Sequence, residues 1–384
     1  MTIVDRWLLP DGVEEILPPD ASHLERIRRQ LIDLYTSWGY EYVIPPMIEF
    51  LESLLTGTGK DLDYKTFKVT DQISGRMMGI RADMTPQVAR MDAHSLGREG
   101  PARFCYAGTV LHARADNQTA SRSPIRVGAE LFGVPAPEGE FEIICLMIES
   151  LMSSGVDKIQ LELGDVGIFR HLVAAAGLTD EQEIRLFEPI QRKAPADLKL
   201  IVARLGLDET LAARIIALPQ MMGNADALER AVALLGDNEI LAARLDGLQH
   251  LSRRIRQRYP SLEIFYDLSE LRGYTYHTGI VFAAYNCEGG QLLARGGRYD
   301  HIGEVFGRAR VATGFDVDLK SLSGQLQPGK PARVVAVTEV LDDRQQLDMI
   351  ARLREQGYVV IEGDTGAINV HHRLVYRAGK WQLA

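Results

Sequence analysis

Arg81, Asp83 and Thr85 stand at alternate positions in GIRADMTPQVAR, a spacing that can turn all three side chains to one face where the chain leaves a strand. Arg126 and Glu130 lie in SRSPIRVGAELFG, which a long polar loop joins to CYAGTVLHARAD. A third region, ELRGYTYHTGIVF followed by ARGGRYDHIG, concentrates glycine, tyrosine and arginine. The chemistry open to the first two regions is recognition of charge. Asp83 and Glu130 offer negative charge, Thr85 a neutral acceptor, and Arg126 a cation able to pair with a carboxylate. Taken singly, each has an ordinary explanation, because an Arg near an Asp is more often a solvated surface pair than a site.

These residues need elements to hold them. From Asp20 to Trp38, Leu24, Ile27, Leu31, Leu34, Tyr35 and Trp38 recur every three or four positions, which predicts an amphipathic helix. Ser22 and Glu25 give it a capping-box pattern, and Gly39 can end it in a left-handed conformation. An edge strand at Tyr40–Ile44 then stops at Pro45-Pro46, since neither proline can donate a ladder hydrogen bond. Further strands are expected at Thr66–Val69, Met77–Arg81, Arg103–Leu111, Arg126–Phe132, Ile159–Leu163, Ile264–Asp267, Tyr276–Ala283 and Gln291–Ala294, in a largely antiparallel sheet. Between about 179 and 258 the pattern becomes helical and rich in Leu and Ala, which reads as an inserted helical subdomain. SGQLQPGKP near residue 325 has linker composition, so a body over 1–325 and a small C-terminal α/β module over 326–384 are expected. In that module a strand (Arg333–Thr338), a helix (Asp342–Gln356) and a second strand (Tyr358–Glu362) precede a hairpin turning at Ala378-Gly379. The fold class is α+β.

With 384 residues, 46% hydrophobic and 25% charged, the chain has an ordinary globular make-up. A net charge of −9 gives its surface no bulk attraction for a polyanion such as tRNA. Cys105, Cys145 and Cys287 are far apart with no CxxC pair, which argues against a metal site or a disulfide framework and suggests buried free thiols. No stretch reaches the length a bilayer requires, so a cytoplasmic protein without membrane contact, metal or cofactor is expected.

The order and wording of the three regions resemble the class II aminoacyl-tRNA synthetase core, specifically histidyl-tRNA synthetase, over roughly residues 8 to 325. YEYVIPPMIE is similar to the dimer-forming first motif, with Pro46 as its proline. CYAGTVLHARADNQTASRSPIRVGAELFG resembles the second motif, and VATGFDVDLKSL sits where the third belongs. LRGYTYHTG and ARGGRYD resemble the two histidine-specific segments RGLDYY and AGGRYD.

The departures from that pattern bear on function. Adenylation requires positive charge around the ATP phosphates. Against the synthetase's FRHER the chain has Leu111, His112, Ala113, Arg114 and Ala115, so the α-phosphate arginine has become His112. The adenine-stacking aromatic falls at Pro124. GLER becomes Asp318, Leu319, Lys320 and Ser321, so Ser321 replaces the γ-phosphate arginine and Asp318 adds a negative charge. Losing one preorganised charge contact of this kind costs about 3 kcal/mol, roughly a hundredfold in rate.

The resemblance treats the amino-acid pocket more kindly. Free histidine needs a carboxylate for its ammonium, a cation for its carboxylate and polar partners for its ring nitrogens. Asp83, Thr85, Arg126 and Glu130 fall at such positions, Tyr276 and His277 stand where the family has Tyr-Tyr, and Arg272 takes the place of the histidine-specific catalytic arginine. A complete anticodon-binding domain is larger than the module from Pro331 to Ala384. Together these points imply the family of ATP phosphoribosyltransferase regulatory subunits. A member would have no catalysis of its own. It would bind free L-histidine for feedback inhibition and self-dimerise, would join a short-form catalytic subunit in a hetero-octamer, and would not bind tRNA. The alternative is a histidine-activating ligase or truncated synthetase using Arg114, Arg122 and Arg272.

Overall fold

The computed structural model describes residues 7–56, 60–115, 120–324, 326, 333–339, 343–366 and 368–384. The expected linker near 325 therefore lies largely outside the described residues, as do 116–119 of the polar loop. The chain divides into two units, Met1–Leu326 and Gln327–Ala384.

In the larger unit the helix Asp20–Ser37 buries Leu24, Ile27, Leu31 and Tyr35, the stripe its spacing predicts. Gly39, at φ +85°, reverses the chain behind it. The capping box expected at Ser22 and Glu25 does not form. Pro19 occupies the cap position and starts the helix at Asp20, which leaves Ser22 inside the first turn. Glu25 instead accepts from Arg28 and Arg29 at 2.6 and 2.7 Å, one turn along its own helix.

The strands, numbered along the described chain, are β1 (Glu41–Tyr42), β2 (Ile48–Phe50), β3 (Phe67–Thr70), β4 (Met77–Ile80), β5 (Ala102–Thr109), β6 (Ile125–Phe132), β7 (Ile159–Asp165), β8 (Met222–Gly223), β9 (Glu263–Asp267), β10 (Ile280–Asn286), β11 (Leu292–Arg298) and β12 (Ala312–Asp318). One sheet of nine runs β1-β5-β6-β12-β11-β10-β7-β9-β8. It is antiparallel from β5 through to β7, with parallel pairs at β1–β5 and β7–β9. A second sheet, β2-β4-β3, is formed by the strands that lie between β1 and β5 in the chain. This is the α+β arrangement expected. The strand predicted at Tyr276–Ala283 begins later, at Ile280. Gly273 adopts φ +69° and accepts from the amides of Tyr276 and His277, so those residues lie in a turn.

Alternation within β6 shows how the sheet serves two purposes. Val127, Ala129 and Leu131 join the core beneath the helices Asp20–Ser37 and Glu138–Ser153, which leaves Gly128 and Glu130 to the opposite face. β12 repeats the division, with Phe315 and Val317 in that core and Gly314 and Asp316 opposite.

The segment predicted to be helical holds the helices Asp180–Gln191, Pro195–Val202, Glu209–Ala217, Ala225–Leu235 and Glu239–Arg258. Side chains of Thr179, Asp208 and Asn238 cap three of them. Arg244 ties the last to Asp165 at 3.1 Å, at the end of β7. Cys105 and Cys145 are buried free thiols, but Cys287 is exposed, contrary to expectation.

The smaller unit is the sheet β14-β13-β15-β16, made of β13 (Val334–Val337), β14 (Val359–Glu362), β15 (His372–Arg377) and β16 (Lys380–Leu383), with the helix Arg344–Glu355. Val335, Val337, Ile350, Leu353, Leu374 and Trp381 form its own core. Ala378 and Gly379, at φ +52° and +79°, turn its hairpin at the predicted dipeptide.

Candidate functional site

Two adjacent rows of residues cross the open face of the large sheet. In one, Gly164, Val281, Gly297, Gly314 and Glu130 stand opposite each other from β7 to β6. In the next the sequence is Glu162, Ala283, Arg295, Asp316 and Gly128. Residues in register share a face, and all of these except Gly128 line a cavity of about 530 Å³. Three glycines in the first row make much of its floor bare main chain. A Cβ at Gly314 would lie 1.6 Å from Glu130 Oε2, and one at Gly297 would lie 2.9 Å from His277 Nε2, so neighbouring side chains fill the space a larger residue would need. The remaining wall comes from the loop that carries Asp83 and Thr85 into the helix Thr85–Arg90, and from the turn that carries Tyr276 and His277.

Glu130 is the most constrained acid here. The Thr85 and Tyr106 hydroxyls donate to its Oε1 at 2.8 and 3.0 Å, and the Tyr299 hydroxyl donates to Oε2. Burial pushes its carboxyl up to about 8, even though those three donors favour the ionised form. Asp83 accepts from the Thr85 amide at 2.9 Å. Burial and the Asp316 carboxylate raise its pKa, while the Arg126 and Arg295 guanidiniums pull it down. His277 is buried, which lowers its pKa to about 4 and keeps the ring neutral. Its Nδ1 lies 3.2 Å from the Arg272 carbonyl oxygen, which can only accept, so Nδ1 carries the proton and Nε2 is left as an acceptor. The Tyr276 ring packs 4.2 Å from it, centroid to centroid.

Six of the seven residues singled out from the sequence thus border one cavity: Asp83, Thr85, Glu130, Arg272, Tyr276 and His277. Arg126 does not. It lies one row further along the sheet face and donates to Asp316 at 2.7 Å, so the expected carboxylate-binding cation is neutralised by a neighbouring strand. Arg272 reaches the cavity but is held by Glu270 at 2.7 Å, the Tyr285 hydroxyl at 2.9 Å and Glu162 at 3.6 Å. Sequence reasoning missed Glu162, Arg295 and Asp316. The signal for Arg295 was present: aligning ARGGRYD with AGGRYD sets this arginine where the synthetase pattern has alanine. Glu162 gave none, because its acidic neighbours Glu270 and Asp267 come from elsewhere in the chain. Burial and those acids raise its carboxyl to about 7.

The positions that would face ATP phosphates have different work. His112 is buried, with Nε2 3.0 Å from the Ala82 carbonyl oxygen. Arg122 donates to the carbonyls of His112 and Asp11 at 2.9 and 3.1 Å. Lys320 binds Glu14 at 3.0 Å and the hydroxyls of Ser121 and Ser123 at 3.3 and 3.2 Å. Asp318, expected to place a charge beside a triphosphate, caps the helix Leu319–Ser323 by accepting from the Lys320 amide. Arg81, on the alternate-position pattern with Asp83, donates to the carbonyls of Pro45 and Thr109 at 2.6 and 3.0 Å and serves the fold.

Residues 12–322 match the histidyl-tRNA synthetase family model. Histidyl-tRNA synthetase from Nostoc sp. PCC 7120 shares the fold, with a TM-score of 0.75 at 18% identity over 96% of this chain and 91% of that one. The class is therefore that of histidyl-tRNA synthetase-like proteins with a class II core. A structure described as an ATP phosphoribosyltransferase regulatory subunit/histidyl-tRNA synthetase from Bacillus halodurans C aligns with a TM-score of 0.82 and 26% identity, covering 96% of each chain. Two relatives named ATP phosphoribosyltransferase regulatory subunit are more similar in sequence. That of Thioalkalivibrio sulfidiphilus is 52% identical over 95% of this chain and 93% of its own, and that of Chromohalobacter salexigens is 50% identical over 100% and 99%. The chain belongs to the family of ATP phosphoribosyltransferase regulatory subunits.

Proposed function

We propose that this chain is the non-catalytic regulatory subunit that joins a short-form ATP phosphoribosyltransferase catalytic subunit for the first step of histidine biosynthesis, and that free L-histidine bound in the cavity mediates feedback inhibition. The carrying observation is a contrast within one fold. Polar groups suited to an amino acid, Asp83, Thr85, Glu130, Tyr276 and His277, converge on the cavity, whereas the phosphate-facing positions hold His112 on a backbone carbonyl and Ser321. In the neutral His277 the acceptor Nε2 matches an N–H of a neutral imidazole. The partner would carry the chemistry. Histidine would shift a hetero-octamer built on self-dimers of this chain toward its inactive arrangement, and the partner's state would alter histidine affinity in return.

Arg272 in the cavity wall favours a second reading, a histidine-activating ligase. Its commitment to Glu270, Glu162 and Tyr285 weakens that reading. Calorimetric titration with histidine beside a histidine-dependent pyrophosphate-exchange assay separates the two. Saturable binding without exchange, together with co-purification with the catalytic subunit, is expected. Exchange above background would restore the ligase.

A further inference from the structure

Among the described residues the cavity wall carries three cations, Lys65, Arg272 and Arg295, and they are not equivalent. Arg272 is bound to two carboxylates and a hydroxyl. Lys65 has an interaction partner within the protein. Arg126, which the resemblance assigns to a ligand carboxylate, donates to Asp316. Arg295 is half-buried and makes no hydrogen bond or ion pair with any described residue.

Its position explains why. Arg295 stands between Ala283 on β10 and Asp316 on β12. Ala283 is too short to reach it, and Asp316 is already neutralised by Arg126. The adjacent row offers it only Val281 and the bare backbone of Gly297 and Gly314 on these strands. A guanidinium removed from water without a counter-ion is unfavourable, and an arriving anion relieves that cost. The same cavity presents the Asp83 carboxyl as its acidic counterpart, while Glu130 is occupied by the Thr85, Tyr106 and Tyr299 hydroxyls. One cavity that offers an open cation and a separate carboxyl, Asp83, matches an amino-acid zwitterion.

We propose that Arg295 anchors the α-carboxylate of the free amino acid held in this cavity, with Asp83 receiving its ammonium, while Asp316 keeps Arg126 out of contact with the ligand. This rests on reading the cavity as the histidine pocket. It adds a selectivity: the subunit responds to the amino acid with its carboxylate free, and discriminates against the amino alcohol and against esterified histidine.

The test titrates the full chain with L-histidine and with L-histidinol, which keeps the imidazole and the ammonium but carries a hydroxymethyl group in place of the carboxylate. A charge-assisted, bidentate contact predicts a wild-type preference for histidine of roughly thirtyfold. Arg295→Gln should weaken histidine binding by about that factor and leave histidinol within about twofold, so the preference collapses. The double variant Arg126→Gln/Asp316→Asn, which removes that ion pair whole and frees no carboxylate opposite Arg295, should leave the ratio intact. Arg295→Lys, which keeps a charge without the fork, should retain part of the preference. Thermal melts monitored by circular dichroism check the variants, and if Arg295→Gln does not fold, the ratio is read on Arg295→Lys. An undiminished ratio in the folded Arg295 variant, or its loss in the Arg126→Gln/Asp316→Asn double variant, overturns the proposal. A wild-type chain that binds no histidine, alone or with its catalytic partner, overturns the pocket reading itself, a result distinct from failure of the Arg295 variant.

Discussion

At Glu130 two effects oppose each other, and their balance is measurable. Three hydroxyl donors favour the carboxylate, yet burial raises the pKa from 4.5 to about 8. The folded state therefore holds a proton that the unfolded chain has released. The stability linked to that proton is fully present below about 4.5 and is lost as pH rises through about 8. The difference in unfolding free energy between wild type and Glu130→Gln, followed by denaturant titration, should fall across that window and level above it. A pH-independent difference would show that Glu130 titrates as it does in water. His277 has the opposite sign. Burial lowers its pKa from 6.5 to about 4, so its contribution is present above 6.5 and is lost as pH falls through about 4. Comparison of wild type with His277→Asn should show a difference that rises between those values.

Among the secondary-structure elements, the glycine row governs whether a pocket exists at all. Gly314→Ala would force a Cβ onto Glu130 Oε2 and to within 2.8 Å of the Ala129 carbonyl oxygen. It should cost about 1–3 kcal/mol by overpacking and abolish histidine binding, both readable from a melt and a titration. Gly247, inside the helix Glu239–Arg258, has nothing within 4 Å of its would-be Cβ. Gly247→Ala should therefore stabilise by about 0.5–1 kcal/mol and leave binding unchanged. Repeat patterns made many elements legible. The helix Asp20–Ser37 follows from its apolar spacing, and β6 lies where the sequence predicts a strand, at Arg126–Phe132. The turn at Tyr276–His277 was not legible. Its aromatic residues read as strand, and only the left-handed Gly273 takes them off the sheet and onto the cavity.

For the whole molecule, the two units have separate cores, and the residues lining the cavity all fall within the larger one. A chain ending at residue 326 should fold cooperatively and bind histidine with the affinity of the full protein, as calorimetry on both would show. Loss of binding would mean that residues beyond 326 complete the site. Among the described residues no helix is long and apolar enough to cross a membrane.

The sequence by itself determined the α+β class, the helical segment at 179–258, and six residues that meet at one cavity, because apolar periodicity and motif wording act over short stretches of chain. It also carried the substitutions at His112 and Ser321, which need no coordinates to be read. Tertiary structure alone decided which cations remain open. Arg126 and Asp316 are 190 residues apart in sequence, and only the register of β6 against β12 joins them. That pairing removes one arginine from the cavity and leaves Arg295, on the next strand, without a direct ion pair among the described residues. Cross-strand register depends on how distant segments are stacked, and no local pattern records it.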